Sequence, residues 1–368
     1  MSKNKFSAIT TEIAPPPGEK IKQVLDEKDL TQKEFAQRMA LSEKHVSKLV
    51  NGEVQLTPGM AVKLESVLGI PASYWCGLES SFRESIARRE EEEKMGDELI
   101  IARRFPCPDM ERQGWISRAQ SRPDSVYRLR QFFEVCSLSM LKDDELAPQV
   151  TPPSPDMNPG LSGRTSSLGK ELCALLAWAQ KAKLEARHAK VRAISLYCLE
   201  QYVSEIREQT VNPPHLFCPK LKKTLAESGV ALVFMPAIRG AEARGAVFTD
   251  GRKLVLAITI RDTEAAVFWF NLFYEIACVL LQFAGRDEAL SPDEEQQAVQ
   301  YAWDVLIPPD AYAELVQMQS PDIETIRAFS SRIGVHPSIV CLRLYEDGLA
   351  SAEMRGELAE TYMPSGRF

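Results

Sequence analysis

VFWFNLFYEIACVLLQ, residues 267–282, is apolar almost throughout and contains neither Gly nor Pro. It is long enough for about four helical turns, and a helix apolar on nearly every side has to be buried. Polar chemistry is confined to Asn271, Tyr274, Glu275, Cys278 and Gln282. Tyr274 and Cys278 stand at i and i+4, hence on one face, with Glu275 beside them. The stretch is too short for a membrane span and reads as the core helix of a C-terminal domain.

The flanking sequence builds that domain. Lys220 to Ser228 is helical, and Val230 to Met235 is a buried strand stopped by Pro236. Ala246-Val247-Phe248 and Leu254 to Ile258 flank Thr249-Asp250-Gly251-Arg252, a D-G hairpin signal. Arg261-Asp262 then leads into the central helix. Downstream, Gln297 to Pro308 has a helical pattern, and Ile323 to Ile333 and Pro337 to Tyr345 make two short helices.

The spacing of Tyr274, Glu275 and Cys278 is that of H-E-x-x-H, in which two His hold zinc and the Glu activates water. FWFNLFYEIACVLLQ resembles the FTLxHELGHxLLH helix of the ImmA/IrrE family of zinc metallopeptidases. Gln297-Ala298-Val299-Gln300-Tyr301-Ala302-Trp303-Asp304-Val305-Leu306-Ile307-Pro308 is similar to that family's E-A-N-x-F-A-x-x-L-L-x-P helix. The resemblance implies a zincin-like layout over roughly residues 214–312. It places Tyr274 and Cys278 where the histidine ligands belong, Gln297 where the acidic third ligand belongs, and Glu275 as a vestigial catalytic residue. A phenol with a pKa of about 10 and a neutral amide are poor zinc ligands, and Cys278 alone cannot hold a catalytic zinc. The expectation is no metal, no cofactor and no peptidase activity. The plain alternative is a core helix whose polar residues satisfy one another.

A second organised stretch lies near the N-terminus. After a lead over residues 1–14, Pro15-Pro16-Pro17-Gly18 punctuates the entry to a helix whose stripe is Ile21, Val24 and Leu25. Thr31, with Glu34 three residues on, is a capping box for a helix to about Met39, burying Phe35, Ala36 and Met39. Ser42 caps the next helix, where Val46, Leu49 and Val50 point inward. Thr57-Pro58 opens another helix through Met60, Leu64 and Leu68, ended by Gly69. The two central helices and their tight turn make a helix-turn-helix unit.

Residues 15–80, PPPGEKIKQVLDEKDLTQKEFAQRMALSEKHVSKLVNGEVQLTPGMAVKLESVLGIPASYW and a few more, resemble the XRE-type helix-turn-helix and, within it, the HigA-like antitoxins. The resemblance implies a DNA-reading domain acting as a homodimer on a palindromic double-stranded operator. The outward positions of the second helix are Ser42, Glu43, Lys44, His45, Ser47, Lys48 and Asn51, several of them suited to base edges and phosphates. Gln32, opening the preceding helix, is placed to hold a backbone phosphate. A small helical interaction domain with a solvated charged face is the competing reading of the same residues.

Between these regions, FRESIARREEEEKM (residues 82–95) is a charge run of the kind that makes a solvated connector. The chain from Gly114 to Val135, from Glu171 to Ala186 and from Val191 to Thr210 has helical spacing. A Pro/Gly/Ser-rich loop occupies 144–168. The formal charge of −7 argues against indiscriminate nucleic-acid binding by the whole chain and leaves room for a local basic face. The 8 Cys form no C-x-x-C pair, which excludes a zinc ribbon, a thioredoxin motif and a compact disulfide framework. His188, His215 and His336 are isolated, and Arg239-Gly240 and Arg244-Gly245 make no phosphate cradle. Without a signal-peptide core or membrane span, a cytoplasmic protein is expected.

The resulting expectation is a mainly α chain in three parts. Residues 1–80 form a lambda-repressor-like helix-turn-helix bundle, 81–213 a helical connector, and 214–368 an α+β zincin-like domain with a small sheet and closing helices. The function expected is a sequence-specific repressor with an inactive peptidase-like domain used for sensing, partner binding or dimerisation. Neutralisation of a toxin partner, and an active metallopeptidase, are the alternatives.

Overall fold

The computed structural model describes residues 12–141, 150–151, 169–241, 243–251, 253–260, 263–284, 290–318 and 321–363. Most of the loop expected at 144–168, and Arg261-Asp262, lie outside the described residues. The chain divides into two compact units, residues 1–100 with 119–127 and residues 101–118 with 128–368. The fold is mainly α, with an N-terminal helix-turn-helix and small sheets in the C-terminal part. No helix among the described residues is long and apolar enough to cross a membrane.

The first unit is built from α1 (Pro17–Glu27), α2 (Gln32–Met39), α3 (Glu43–Val50), α4 (Pro58–Leu68) and α5 (Ala72–Lys94). Pro17 and Pro58 occupy first-turn positions of α1 and α4, where a missing N–H costs nothing. Thr31 and Glu34 close the capping box of α2: the Glu34 N–H donates to Thr31 Oγ1 at 3.2 Å, and the Thr31 N–H to Glu34 Oε2 at 3.0 Å. Ile21, Phe35, Met39, Val46, Leu64 and Trp75 meet in the core. α1 and α3 approach so closely that a methyl group on Gly18 would stand 1.8 Å from the Val50 carbonyl oxygen. The α2–α3 turn passes through Ala40, which adopts a left-handed φ of 50°.

Helix α5 is one continuous element of 23 residues, running through the boundary that the sequence pattern places at residue 80. Trp75 and Phe82 are buried along it, and the charge run 82–95 forms its C-terminal half. That half is supported at i, i+4 by Arg83–Glu79, Arg88–Glu84 and Arg89–Glu93. A charged solvated face therefore extends the first unit instead of beginning a connector.

α6 (Gly96–Ala102) and α8 (Arg122–Phe133) each contribute residues to both units, with α7 (Cys107–Arg112) in the second. The second unit continues with β1 (Val150–Thr151), α9 (Lys170–Ala186), α10 (Leu196–Arg207) and α11 (Pro214–Glu227). Then come β2 (Val230–Met235), β3 (Gly245–Asp250), β4 (Lys253–Thr259), β5 (Thr263–Glu264) and α12 (Ala265–Leu280). The unit closes with α13 (Pro292–Leu306), α14 (Pro309–Val316), α15 (Ile323–Ile333), α16 (Pro337–Glu346), α17 (Ala352–Leu358) and β6 (Thr361–Tyr362). The larger sheet has the order β1-β3-β4-β2. β3 and β4 form the expected hairpin, Asp250 facing Lys253, while β2 lies parallel to β4 from Val230↔Leu254 to Met235↔Thr259.

Three local departures have local causes. Residues 191–195 are extended, not helical: the Arg192 and Ser195 N–H groups donate to Ala226 and Ser228, and Ser195 caps α10 at Leu196. α11 begins at Pro214, six residues ahead of Lys220, and carries Pro219 inside it. β5 and β6 pair antiparallel, so the chain end returns to the start of α12, where Trp269 Nε1 donates to Tyr362 Oη at 2.9 Å.

Candidate nucleic-acid interface

Helix α3 has one inward and one outward face because its apolar residues fall at Val46, Leu49 and Val50. Glu43, Lys44, Ser47, Lys48 and Asn51 are exposed, and Gln32 is exposed at the first position of α2. Ser42 is exposed too, but its Oγ is engaged, accepting from the His45 N–H at 3.2 Å as the cap of α3. Asn51 is the residue that ends the helix.

His45 departs from the outward face assigned to it. It is half-buried, and its Nε2 is buried with no hydrogen-bond partner. At i and i+4 it stacks along the helix with Leu49, so it flanks the buried stripe. Lys33 and Arg38 add exposed basic groups on α2. The exposed carboxyl of Glu34 is held below its usual pKa by the hydrogen bonds from Thr31, with a smaller contribution from the Arg38 charge.

Known relatives match the part of the chain that carries this helix pair. Residues 21–75 match the family model HTH_3, a helix-turn-helix. Over 76 residues the chain is 37% identical to the uncharacterized HTH-type transcriptional regulator YddM of Escherichia coli (strain K12), covering 21% of this chain and 79% of that one. The chain belongs to the HTH-type transcriptional regulators. Among solved structures, a candidate antidote protein of a plasmid maintenance system from Nostoc punctiforme is 24% identical, with a TM-score of 0.23, over 23% of this regulator and 94% of that chain. An addiction module antidote protein of a HigA family from Coxiella burnetii is 19% identical, with a TM-score of 0.22, over 24% of this regulator and 96% of that chain.

The regulator's second candidate site lies on α12. From Ala265 to Val279 every residue but Val267 is buried. Asn271 satisfies itself within the helix, its Nδ2 donating to the Val267 carbonyl at 2.7 Å. Tyr274 and Cys278 share a hydrogen bond one turn apart. Burial pushes both groups up, the phenol and the thiol alike, and the charges of Glu275 and Glu295 push further in the same direction. Glu275 is 2% exposed and lies against β3, where a methyl group on Gly245 would stand 2.5 Å from its Oε1.

Gln297, the residue assigned to the third ligand position, lies on α13. It is exposed, whereas Ala298 and Ala302 are buried there. The acidic side chain of α13 whose charge is felt at Tyr274 and Cys278 is Glu295. Glu295 is exposed like Gln297, and it acts on the pair through its charge, which a neutral amide lacks. Zinc fits this donor set poorly, because a phenol and a neutral amide are weak donors beside the single thiol of Cys278. Among the described residues, no group of three or more His, Cys, Asp or Glu side chains is arranged to hold a metal.

The remaining chemistry-bearing residues have separate places. All eight cysteines are free thiols, and burial pushes Cys218 up to about 12. His188 and His215 are exposed. His336 caps α16, its Nδ1 accepting from the Ser338 N–H at 3.3 Å while its Nε2 lies 2.9 Å from Glu360 Oε2.

Proposed function

We propose that this regulator is a sequence-specific DNA-binding repressor of the HigA-like antitoxin kind, binding its operator as a homodimer. The observation that carries the reading is the outward face of α3, where Lys44, Ser47, Lys48 and Asn51 stand exposed around a rigid, capped helix. An exposed helix of this kind, preceded by a second helix whose N-terminus can hold a phosphate, is the geometry by which a major groove is read. The C-terminal unit is a zincin-like domain related to the ImmA/IrrE peptidases that no longer cleaves, serving as a binding, sensing or dimerising module. Support for that part comes from α12, where a phenol and a lone thiol stand at the ligand positions and Glu275 is packed against a strand.

Binding of the full chain to its own promoter DNA, against random duplex at one salt concentration, tests the first part. Lys48→Ala and Asn51→Ala should weaken binding without altering the fold, by roughly 5- to 150-fold if a base contact is lost. A wild-type protein with no preference for its promoter sinks the repressor reading. For the C-terminal unit, Glu275→Gln should leave repression intact. Stoichiometric zinc together with a peptidase activity, both lost in Cys278→Ala, would overturn the inactive-domain reading.

A further inference from the structure

We infer that Glu43 is a specificity-determining residue of the operator site, accepting a hydrogen bond from the exocyclic amine of a cytosine; the inference rests on the DNA reading proposed above. Glu43 is the first residue of α3, and the N-terminal residues of a recognition helix are those that reach base edges. It is exposed, and no ion pair or hydrogen bond engages its carboxylate among the described residues. Helix capping does not account for it. In α2 and α13 the acidic residue three beyond the cap, Glu34 or Glu294, reaches back to the capping backbone N–H. In α3 that third position is His45, and Glu43 stands free of the cap.

The exposed residues of α3 fall into two stripes, Glu43 with Ser47 and Lys44 with Lys48. The lysine stripe suits phosphates and guanine. A carboxylate among them is repelled by every phosphate and by each acceptor on the floor of the groove. Two amines project there, on cytosine N4 and adenine N6, and adenine sets the N7 acceptor beside its amine. An ionised carboxylate accepts only, so adenine offers it one attraction and one repulsion, and cytosine the attraction alone. Glu43 thus lowers affinity for most sequences and spares those with cytosine at one position of each half-site.

The test begins with selection of preferred duplexes from a randomised pool by the full-length protein, followed by anisotropy titration of single-base-pair variants at fixed salt. Wild type should lose roughly 5- to 150-fold when the cytosine pair is replaced, the range of one good base contact. Glu43→Ala should lose that discrimination, keep preferences elsewhere and bind random duplex more tightly. Glu43→Gln should move the preference at that position to adenine, whose N6 and N7 a carboxamide satisfies together. A role limited to favouring the helix N-terminus would shift the melting temperature and leave base preference untouched. If wild type is selective and both variants keep every base preference, the Glu43 inference falls while DNA reading stands. If wild type shows no selectivity, the proposed function itself fails.

Discussion

Gly18 and Gly59 make a matched pair, each following a proline in the first turn of its helix. By helix propensity alone, alanine should improve both, by up to about 1 kcal/mol. Their surroundings reverse the sign at one of them. Around Gly59 an added methyl meets nothing within 4 Å, so Gly59→Ala should be stabilising. At Gly18 it would stand 1.8 Å from the Val50 oxygen, 2.4 Å from its carbonyl carbon and 2.6 Å from its Cα, all backbone atoms that cannot rotate aside. The two helices must part by about 1.2 Å to reach the 3.0 Å floor of real contacts. Overpacking against rigid atoms costs about 1–3 kcal/mol, and the displacement also loosens the buried Ile21, Val24 and Leu25. With a net loss of about 1–2 kcal/mol once the propensity gain is set against it, a unit of this size should melt roughly 4–15 °C lower. Calorimetry of the full chain, with hydrogen exchange of the α1 amides to assign the transition, reads both variants. A Gly18→Ala protein as stable as Gly59→Ala would refute the close crossing of α1 and α3.

Other substitutions probe separate devices. Ala40 sits at a φ of 50°, which costs a side chain about 1–2 kcal/mol, so Ala40→Gly should stabilise the first unit by about 0.5–1 kcal/mol after its own entropy loss; a lower melting temperature would contradict this. Arg207 donates to the last carbonyls of α13 and α15, at 3.1 Å to Leu306 and 2.7 Å to Ile333, and Arg207→Ala should cost about 2–4 kcal/mol in denaturant unfolding of the second unit. For His336, burial is the main cause of a lowered pKa, only partly offset by Glu360, while the Arg327 charge lowers it further. A folded pKa below the unfolded value means the unfolded chain binds the extra proton first, so this contribution is present above about pH 6.5 and is lost as pH falls below it. His336→Asn keeps an acceptor at the cap and should flatten that part of the stability–pH curve; an unchanged slope would discount His336.

The N-terminal unit is legible because its information is local. Thr31, Ser42 and Thr57 each precede an apolar period of helical spacing, and all three caps form with their side chains accepting backbone N–H groups. The D-G turn fixes the β3–β4 register for the same reason, since the turn geometry sits within four residues. Non-local choices are less visible. The parallel pairing of β2 with β4 needs β3 to be set one strand away so that β4 fills the place between them, and nothing in Val230 to Met235 records which neighbour it takes. Pro219 suggests a helix start at that point, yet α11 begins at Pro214 and Phe217 and Cys218 are buried beneath it. At the sixth position Pro219 has no N–H to offer the carbonyl four residues back, and burial of Phe217 and Cys218 outweighs that loss.

The site residues divide along the same line. Spacing on one helix places Tyr274, Glu275 and Cys278 together, because i, i+1 and i+4 settle a face without reference to the rest of the chain. Spacing cannot decide what stands opposite. A motif match selects Gln297 on α13, where it is exposed, while the charge felt by the phenol and the thiol is that of Glu295, also exposed on that helix. Glu275 shows the same dependence on a distant partner. Its carboxylate fits only because residue 245 of β3 has no side chain, a requirement set 30 residues away and on another element. Any residue larger than glycine there would displace Glu275 before it touched the apolar core. The polar centre of α12 is therefore defined jointly by β3 and α13, and its chemistry follows from those neighbours as much as from the helix that carries it.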